Sequence, residues 1–165
     1  MMGADSTWMR EAIAEARAAA EAGEVPIGAV IVRAGEIVAR GQNRVLRDND
    51  PTAHAEIVAM RAAGKFLKNY RLLDCDIFVT LEPCAMCAGA MTHARLARLV
   101  YAANDPKAGA VTSVLQVLNH PMLNHQMAVD AGLLGEEAGE LLRTFFRQRR
   151  AEGASKPESN SLDSV

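Results

Sequence analysis

The chain has 165 residues, half of them hydrophobic and 23% charged, with a formal net charge of −2. This length allows one domain with one core, and the composition excludes a disordered or fibrous protein. The weak net charge excludes nucleic-acid binding by a generally basic surface, and no apolar stretch is long enough for a membrane span.

The first half of the sequence predicts a helix, a hairpin and a second helix. Apolar residues recur at helical spacing over residues 6–22, and Gly23 ends the pattern. Two β-rich runs, at residues 28–32 and 37–42, flank a short turn around Gly35 and predict a hairpin. A second helix is then expected over residues 52–64.

The second half alternates strands and helices. Residues 75–82 are almost continuously apolar, which is typical of a strand covered on both faces. Pro83 suits the first turn of a helix at residues 84–93, and the strand expected at 97–103 then implies a parallel crossover. A long polar loop follows, with one short helical run at residues 113–118, and is expected to act as a lid or wall.

The end of the chain predicts a fifth strand, a helix and a tail. Residues 127–132 are expected to supply the strand. Residues 135–150 predict a helix with acids in its first turns and arginines in its last, as the helix dipole favours. Residues 151–165 have almost no apolar side chains and are expected to be disordered. The sequence therefore predicts one α/β domain over residues 1–150.

Four residues form the most informative pattern in the sequence. Cys84 and Cys87 are three apart at a predicted helix start, so both thiols can reach one ion, and the helix N-terminus favours the thiolate. With His54 they form a set of S and N donors that selects zinc and leaves a fourth position for water, as in catalytic sites. Glu56 can then act as a general base without being a ligand.

The same pattern matches a known chemical signature. Zinc deaminases that act on nucleobases carry H-x-E followed by P-C-x-x-C, here starting at His54 and Pro83. A structural zinc knuckle or a coincidental C-x-x-C is the alternative interpretation. The remaining histidines are possible fourth ligands, although none has a tight spacing to the cysteines: His93, His120 and His125.

Cysteine content and the N-terminal sequence bear on the cellular compartment. Three cysteines cannot all pair, and they lack the regular spacing of a secreted disulfide scaffold. The first twenty residues carry acids and no apolar core of a signal peptide. A reducing compartment, the cytoplasm, is therefore expected.

Several longer segments resemble the bacterial tRNA-specific adenosine deaminases over residues 6–150, among them VPIGAV, GQNR, DPTAHAEIVAM, TLEPCAMCAGAM, VLNHPMLNH and LLRTFFRQRR. The zinc motif alone is shared with cytidine, deoxycytidylate and guanine deaminases. The resemblance implies a cytidine deaminase-like fold, a three-layer α/β/α sandwich around a mixed five-stranded sheet. It also implies a homodimer with one Zn²⁺ per subunit that converts the wobble adenosine to inosine in the anticodon loop of an arginine tRNA.

The resemblance also implies roles for individual residues. His54, Cys84 and Cys87 hold zinc and Glu56 shuttles protons. Asn43 hydrogen-bonds the flipped base, and the backbone of Ala55 helps to polarise it. The pocket walls are Val25, Pro26 and Ile27. The residues placed against the RNA are Asp105, Lys107, His120, Asn124, Phe145, Arg149 and Arg150.

Some of these residues keep an ordinary structural interpretation as well. The arginines of the last helix are explained equally by a solvated helix end that the dipole favours. One of Phe145 and Phe146 is expected in the core. His120 is as consistent with a structural turn as with a substrate contact. The sequence departs from the family pattern in RNA-facing segments at Asn104, Gln116 and Asn119.

Two other functions stay open at the level of sequence. A deaminase of a free base such as guanine, or of a nucleotide, would keep the chemistry and turn over without RNA. A non-catalytic, zinc-stabilised RNA-binding module would keep its function after Glu56→Ala, whereas an enzyme would lose turnover.

Overall fold

One mixed sheet lies at the centre of the computed structural model, which describes residues 2–155. Its five strands are β1 (Gly28–Arg33), β2 (Glu36–Gln42), β3 (Cys75–Leu81), β4 (Arg98–Ala103) and β5 (Ala128–Ala131). The strand order is β2-β1-β3-β4-β5. β1 runs antiparallel to both β2 and β3, whereas β3, β4 and β5 are parallel. The mixed five-stranded sheet and the parallel pairing of β3 with β4 are therefore confirmed.

The helices of the described residues cover both faces of the sheet: α1 (Met2–Glu21), α2 (Ala55–Leu67), α3 (Ala85–Ala94) and α4 (Gly135–Ser155). One core joins α1 and α4 to the sheet, and the other joins α2 and α3 to the opposite face. The architecture is the expected three-layer α/β/α sandwich. Within residues 2–155 no helix combines the length and the apolarity that crossing a membrane requires.

The central strands are buried on both faces because their side chains alternate between the two cores. The core of α1 and α4 receives Val30, Phe78 and Val100, and the core of α2 and α3 receives Ile31, Ile77 and Leu99. This two-sided burial explains why these strands have nearly continuous apolar sequences.

Gly41 lets α2 approach the sheet directly. A Cβ atom at this position would lie 2.2 Å from the carbonyl oxygen of Ala55 and 2.6 Å from the amide nitrogen of Ala59. Only a residue without a side chain permits this contact. Since Ala55 is the first residue of α2, the close approach holds the beginning of that helix against the end of β2.

Several predictions differ from the structure. α1 begins at Met2, before the expected start at residue 6, and α2 ends at Leu67, after the expected end at residue 64. α2 begins at Ala55, later than expected, because the carboxylate of Asp50 accepts the amide and hydroxyl groups of Thr52 and holds a turn there. The helical run expected at residues 113–118 is wrong, since those residues form turns and irregular backbone. Residues 151–155, predicted to belong to the disordered tail, continue α4. The rest of that tail, residues 156–165, lies outside the described residues.

Candidate metal centre and active site

The imidazole of His54 lies against two thiols. Its Nδ1 atom is 3.5 Å from Sγ of Cys84 and 3.6 Å from Sγ of Cys87. These three donor atoms form a group that could hold a metal ion, and no fourth His, Cys, Asp or Glu joins it within residues 2–155. His93, His120 and His125, the possible fourth ligands, therefore do not complete the set.

Two of the three donors come from N-cap positions of helices. His54 caps α2 and Cys84 caps α3, each in extended conformation and neither with a side-chain hydrogen bond to its helix. Polar caps such as Ser or Asp stabilise a helix by about 1 kcal/mol. Here the side chains of His54 and Cys84 make no capping hydrogen bond and contact each other instead. Cys87, in the first turn of α3, contacts the same imidazole.

The separations within this group fit a zinc ion. Bonds of about 2.3 Å to sulfur and about 2.0 Å to nitrogen, set at a tetrahedral angle, place those atoms about 3.5 Å apart. The two observed S···N distances, 3.5 and 3.6 Å, agree with this value. The donors, two sulfurs and one imidazole nitrogen, are also those that zinc prefers.

The electrostatics of the group favour a cation. Hydrogen bonds from Cys87 and His54 lower the pKa of the Cys84 thiol to about 3. The same contact with Cys84, together with burial, raises the pKa of Cys87. The hydrogen bond to Cys84 raises the pKa of His54 despite its partial burial. A negative charge shared between two sulfurs beside an imidazole is the environment that a dication satisfies.

Glu56 lies in the first turn of α2 and is only 4% exposed. Burial raises the pKa of its carboxyl group, while interactions with Cys87 and His54 oppose that rise. A buried carboxyl group with a raised pKa holds a proton more readily and can accept and return it, which is the property of a general acid and base. It stands beside the metal group without belonging to it.

The predicted base-binding residues converge on the same end of the sheet. The amide of Asn43 donates to the carbonyl of Ile27, and Arg44 donates to the carbonyl of Ala53, which precedes His54 by one residue. Asn43 is largely buried, Pro26 is buried and Val25 is partly buried. Ala55 is buried at the start of α2. The structure therefore brings Asn43 and Ile27 close to the chain segment that carries His54, one of the candidate metal ligands.

A groove of about 780 Å³ extends from these walls across the end of the sheet. Its lining includes Val25 and Ile27, predicted to form the base pocket, and Asp105 and Lys107, predicted to lie against the RNA. Phe146, which is 44% exposed, also lines it. Arg143 of α4 lines this groove as well, and an adjoining pocket of about 530 Å³ adds Arg147 and Arg150 from the same helix. Arg143 and Arg147 are paired with Glu140, so this surface offers an aromatic ring and the guanidinium of Arg150 beside partly neutralised charges.

Two residues predicted to contact RNA point elsewhere. Phe145 is 9% exposed and packs its ring edge-on against Phe146, so it is the core member of the pair. The guanidinium of Arg149 lies 5.0 Å from the Phe145 ring and donates to the carbonyl of Gly23. The structure thus replaces Phe145 by Phe146 as the ring beside the groove. Arg149 supports the contact between α4 and the end of α1, away from that groove.

The loop after β4 holds the remaining predicted contacts. The Nδ1 atom of His120 accepts the amide of Met122, which is the structural turn that the sequence left open. Asn124 is exposed beside Arg95 and Tyr70, in a pocket distinct from the groove described above. Two of the departures from the family pattern pair with each other, since Asn119 donates to Gln116.

Sequence reasoning missed two buried carboxylates. Glu82, between β3 and Cys84, is 2% exposed and accepts the hydroxyl of Ser113. It also accepts the backbone amides of Asp105, Val111, Thr112 and Ser113. Glu24, beside Val25, is likewise buried. The signal for Glu82 was available, since it is an acid between the apolar end of a strand and a proline.

Comparison with known proteins agrees with this geometry. A family model for MafB19-like deaminases matches residues 4–150. The tRNA-specific adenosine deaminase of Haemophilus influenzae is 46% identical over 149 residues, which cover 90% of this chain and 86% of that protein. The tRNA-specific adenosine deaminase of Agrobacterium fabrum is 49% identical and covers 87% of this chain and 94% of its own.

Among solved structures, a tRNA deaminase is also more similar to this chain than a guanine deaminase is. One from a study of A-to-I editing by tRNA deaminases at the wobble position superposes with a TM-score of 0.80 at 48% identity. It covers 82% of this chain and 99% of its own. The guanine deaminase of Nitrosomonas europaea shares the fold with a TM-score of 0.71, but at 27% identity over 85% of this chain and 83% of its own. The similarity to a guanine deaminase is therefore the more distant one.

Proposed function

This chain belongs to the tRNA-specific adenosine deaminases, and we propose on that premise that it converts the wobble adenosine of an arginine tRNA to inosine. The single observation that carries the chemistry is the buried carboxyl group of Glu56 beside the donors of His54, Cys84 and Cys87. We infer that these three donors hold one zinc ion in each subunit. When bound, zinc supplies Lewis acidity that makes water nucleophilic near neutral pH.

The carboxyl group of Glu56 carries the proton through the reaction. It takes a proton from the attacking water as the oxygen bonds to the carbon that bears the amino group, and it delivers this proton to the adjacent ring nitrogen. A second transfer moves the remaining hydroxyl proton to the amino group, the C–N bond breaks, and ammonia leaves as inosine forms. Burial helps because a raised pKa lets one carboxyl group serve as base and then as acid.

The base reaches Glu56 by leaving the anticodon loop. Asn43 lies at the end of β2, where its side chain can hydrogen-bond the extruded base, while Val25, Pro26 and Ile27 exclude water around it. The neighbouring nucleotides then lie along the groove that contains Asp105, Lys107 and Phe146. Aromatic stacking on unpaired bases is a common mode of single-stranded RNA recognition. Arg150 adds a cation for the phosphates.

The enzyme is proposed to act as a homodimer through the face formed by α2 and α3. A groove of about 780 Å³ on this face is lined by Ile57, Met60 and Ala90. Tyr70 also lines it and is 73% exposed, and Phe66 in the last turns of α2 is 67% exposed. An apolar surface of this kind marks a protein contact more often than a solvated face. Sedimentation equilibrium tests this assignment, since a monomer at micromolar concentration would contradict it.

The decisive experiment is inosine formation by the zinc-loaded protein on an arginine tRNA with a wobble adenosine. Guanine, free adenosine and cytidine serve as parallel substrates. Inosine at the wobble position alone supports the proposal. Ammonia from guanine with the tRNA unchanged would be consistent with the zinc chemistry and would contradict the proposed tRNA substrate.

A tRNA-modifying enzyme of this kind works where mature tRNA is used, so we propose that the protein is cytoplasmic.

A further inference from the structure

A buried carboxylate and a guanidinium join the two chain segments that form the base pocket. Glu24 immediately precedes the wall residues Val25, Pro26 and Ile27, and Arg47 lies four residues beyond Asn43. We propose that Glu24 and Arg47 are positioning residues that fix Asn43 against the pocket wall and so set the placement of the base for attack. This inference rests on the proposed function.

We call the connection made by Glu24 and Arg47 the clasp. Glu24 provides its fixed end. Its side chain is 1% exposed, and its carboxylate accepts the backbone amide of Leu46 at 2.8 Å and that of Arg47 at 3.4 Å. The same carboxylate accepts Nε of Arg47 at 3.3 Å. Since all three donors belong to the loop after Asn43, the carboxylate ties that loop to the segment before the pocket wall.

Arg47 extends the connection to Asn43. One terminal nitrogen of its guanidinium donates to the backbone carbonyl of Asn43 at 2.6 Å and to Oε1 of Gln42 at 2.9 Å. The guanidinium therefore bonds Glu24 through Nε and Asn43 through a terminal nitrogen at the same time. Only a planar fork of donors can do both, and a lysine ammonium cannot replace it.

The clasp holds the one backbone group of Asn43 that the other contacts leave (its carbonyl). The Asn43 amide donates to the carbonyl of Ile27, and its side-chain oxygen accepts the amide of Val45. The carbonyl is the remaining backbone group, and Arg47 holds it. A shift of about 1 Å in a group that orients substrate can cost about 100-fold in rate. Loss of the clasp should therefore lower kcat and leave the RNA affinity nearly unchanged.

The same loop contains a matched pair that lacks these contacts. Arg44 bonds the carboxylate of Asp48 through three hydrogen bonds, and both side chains are substantially exposed. This pair connects two residues of one loop, and Arg44 feels the charge of Glu24 but its side chain makes hydrogen bonds to Asp48 and to neither Glu24 nor the carbonyl of Asn43. Arg44→Lys is consequently a control with the same change of side chain.

The test compares Glu24→Gln, Arg47→Lys, the double variant and Arg44→Lys on an anticodon stem-loop. Zinc content and melting temperature are measured for each, with assays run well below the lowest melting temperature. RNA affinity is measured separately in a Glu56→Ala background, where the substrate is not consumed. We expect kcat to fall about 10-fold or more in both single clasp variants. RNA affinity should stay within about threefold, and Arg44→Lys should behave as wild type.

The double variant should be no slower than the slower single variant, because either change breaks the same connection. If Glu24→Gln folds poorly, Arg47→Lys alone decides, since Arg47 is partly exposed and its replacement leaves Glu24 bonded to two amides. Unchanged kcat in Arg47→Lys overturns the inference. Weaker RNA binding with unchanged kcat also overturns it, because Arg47 would then contact RNA directly. Inactivity of the wild-type protein would instead contradict the proposed function.

Discussion

Replacing Glu82 with glutamine is expected to lower the free energy of unfolding by about 3 kcal/mol. Burial alone would raise the pKa of this carboxyl group, but the hydroxyl of Ser113 and the backbone amides of residues 105, 112 and 113 outweigh burial and bring it from 4.5 to about 2. A pKa difference of one between the folded and unfolded states corresponds to about 1.4 kcal/mol. The folded state therefore favours the carboxylate by about 3 kcal/mol.

Glutamine has the same shape but cannot serve the same donors. It keeps one acceptor oxygen and turns an NH₂ group toward backbone amides, which leaves a buried donor without a partner. The assay is urea unfolding of the metal-loaded protein at about pH 7, followed by circular dichroism. Glu36→Gln, at an exposed position on β2, is the matched control and should change stability by less than about 0.5 kcal/mol.

The pH dependence provides a second test of the same reasoning. Because the folded-state pKa of Glu82 lies below the unfolded value, its stabilisation is complete above about pH 5 and disappears as the pH falls toward about 2. The stability difference between wild type and Glu82→Gln should therefore narrow over that range. A loss below about 1 kcal/mol at neutral pH, or a difference independent of pH, would refute Glu82 as an ionised anchor.

Three further predictions follow from the site and its supports. Gly41→Ala should destabilise the protein by about 1–3 kcal/mol and lower its zinc content, because the new methyl group pushes the start of α2 away from β2; unchanged urea unfolding and metal stoichiometry would contradict this. Glu56→Ala should lower kcat by about 10³-fold with the zinc content unchanged, whereas full activity would favour a binding module. Phe145→Ala should cost about 3–5 kcal/mol in denaturant unfolding, while Phe146→Ala should leave stability nearly unchanged and raise KM for the stem-loop; equal stability losses would show that the two rings are not divided between core and groove.

The sheet was predictable because its signals are local. The apolar runs of β1, β3 and β4 reflect burial on both faces, and the turn at Gly35 needs the left-handed conformation that glycine adopts readily. The metal group was predictable for a related reason. The short spacing between Cys84 and Cys87 already places two donors together. A catalytic zinc site has three protein ligands, and His54 is the third candidate donor.

The features that sequence reasoning missed depend on contacts between distant segments. The amides at residues 111–113 look available for a helix, but they bond Glu82, which belongs to another part of the chain. Glu24 and Glu82 are acids, and acids are usually assigned to the surface. Phe145 and Phe146 are adjacent on one helix, so their sequence does not say which ring faces the core.

The division of the active site between two halves of the sheet has a consequence for folding. The unit of β1, β2 and α2 carries His54 and Glu56, while the unit of β3, α3 and β4 carries both cysteines. Each unit is built from contacts between neighbouring segments, whereas the antiparallel pairing of β1 with β3 joins segments far apart in the chain. Such distant pairing is the slow step in forming a sheet. Neither half alone offers all three candidate ligands, so the proposed zinc ion would bind tightly only after the two halves have come together.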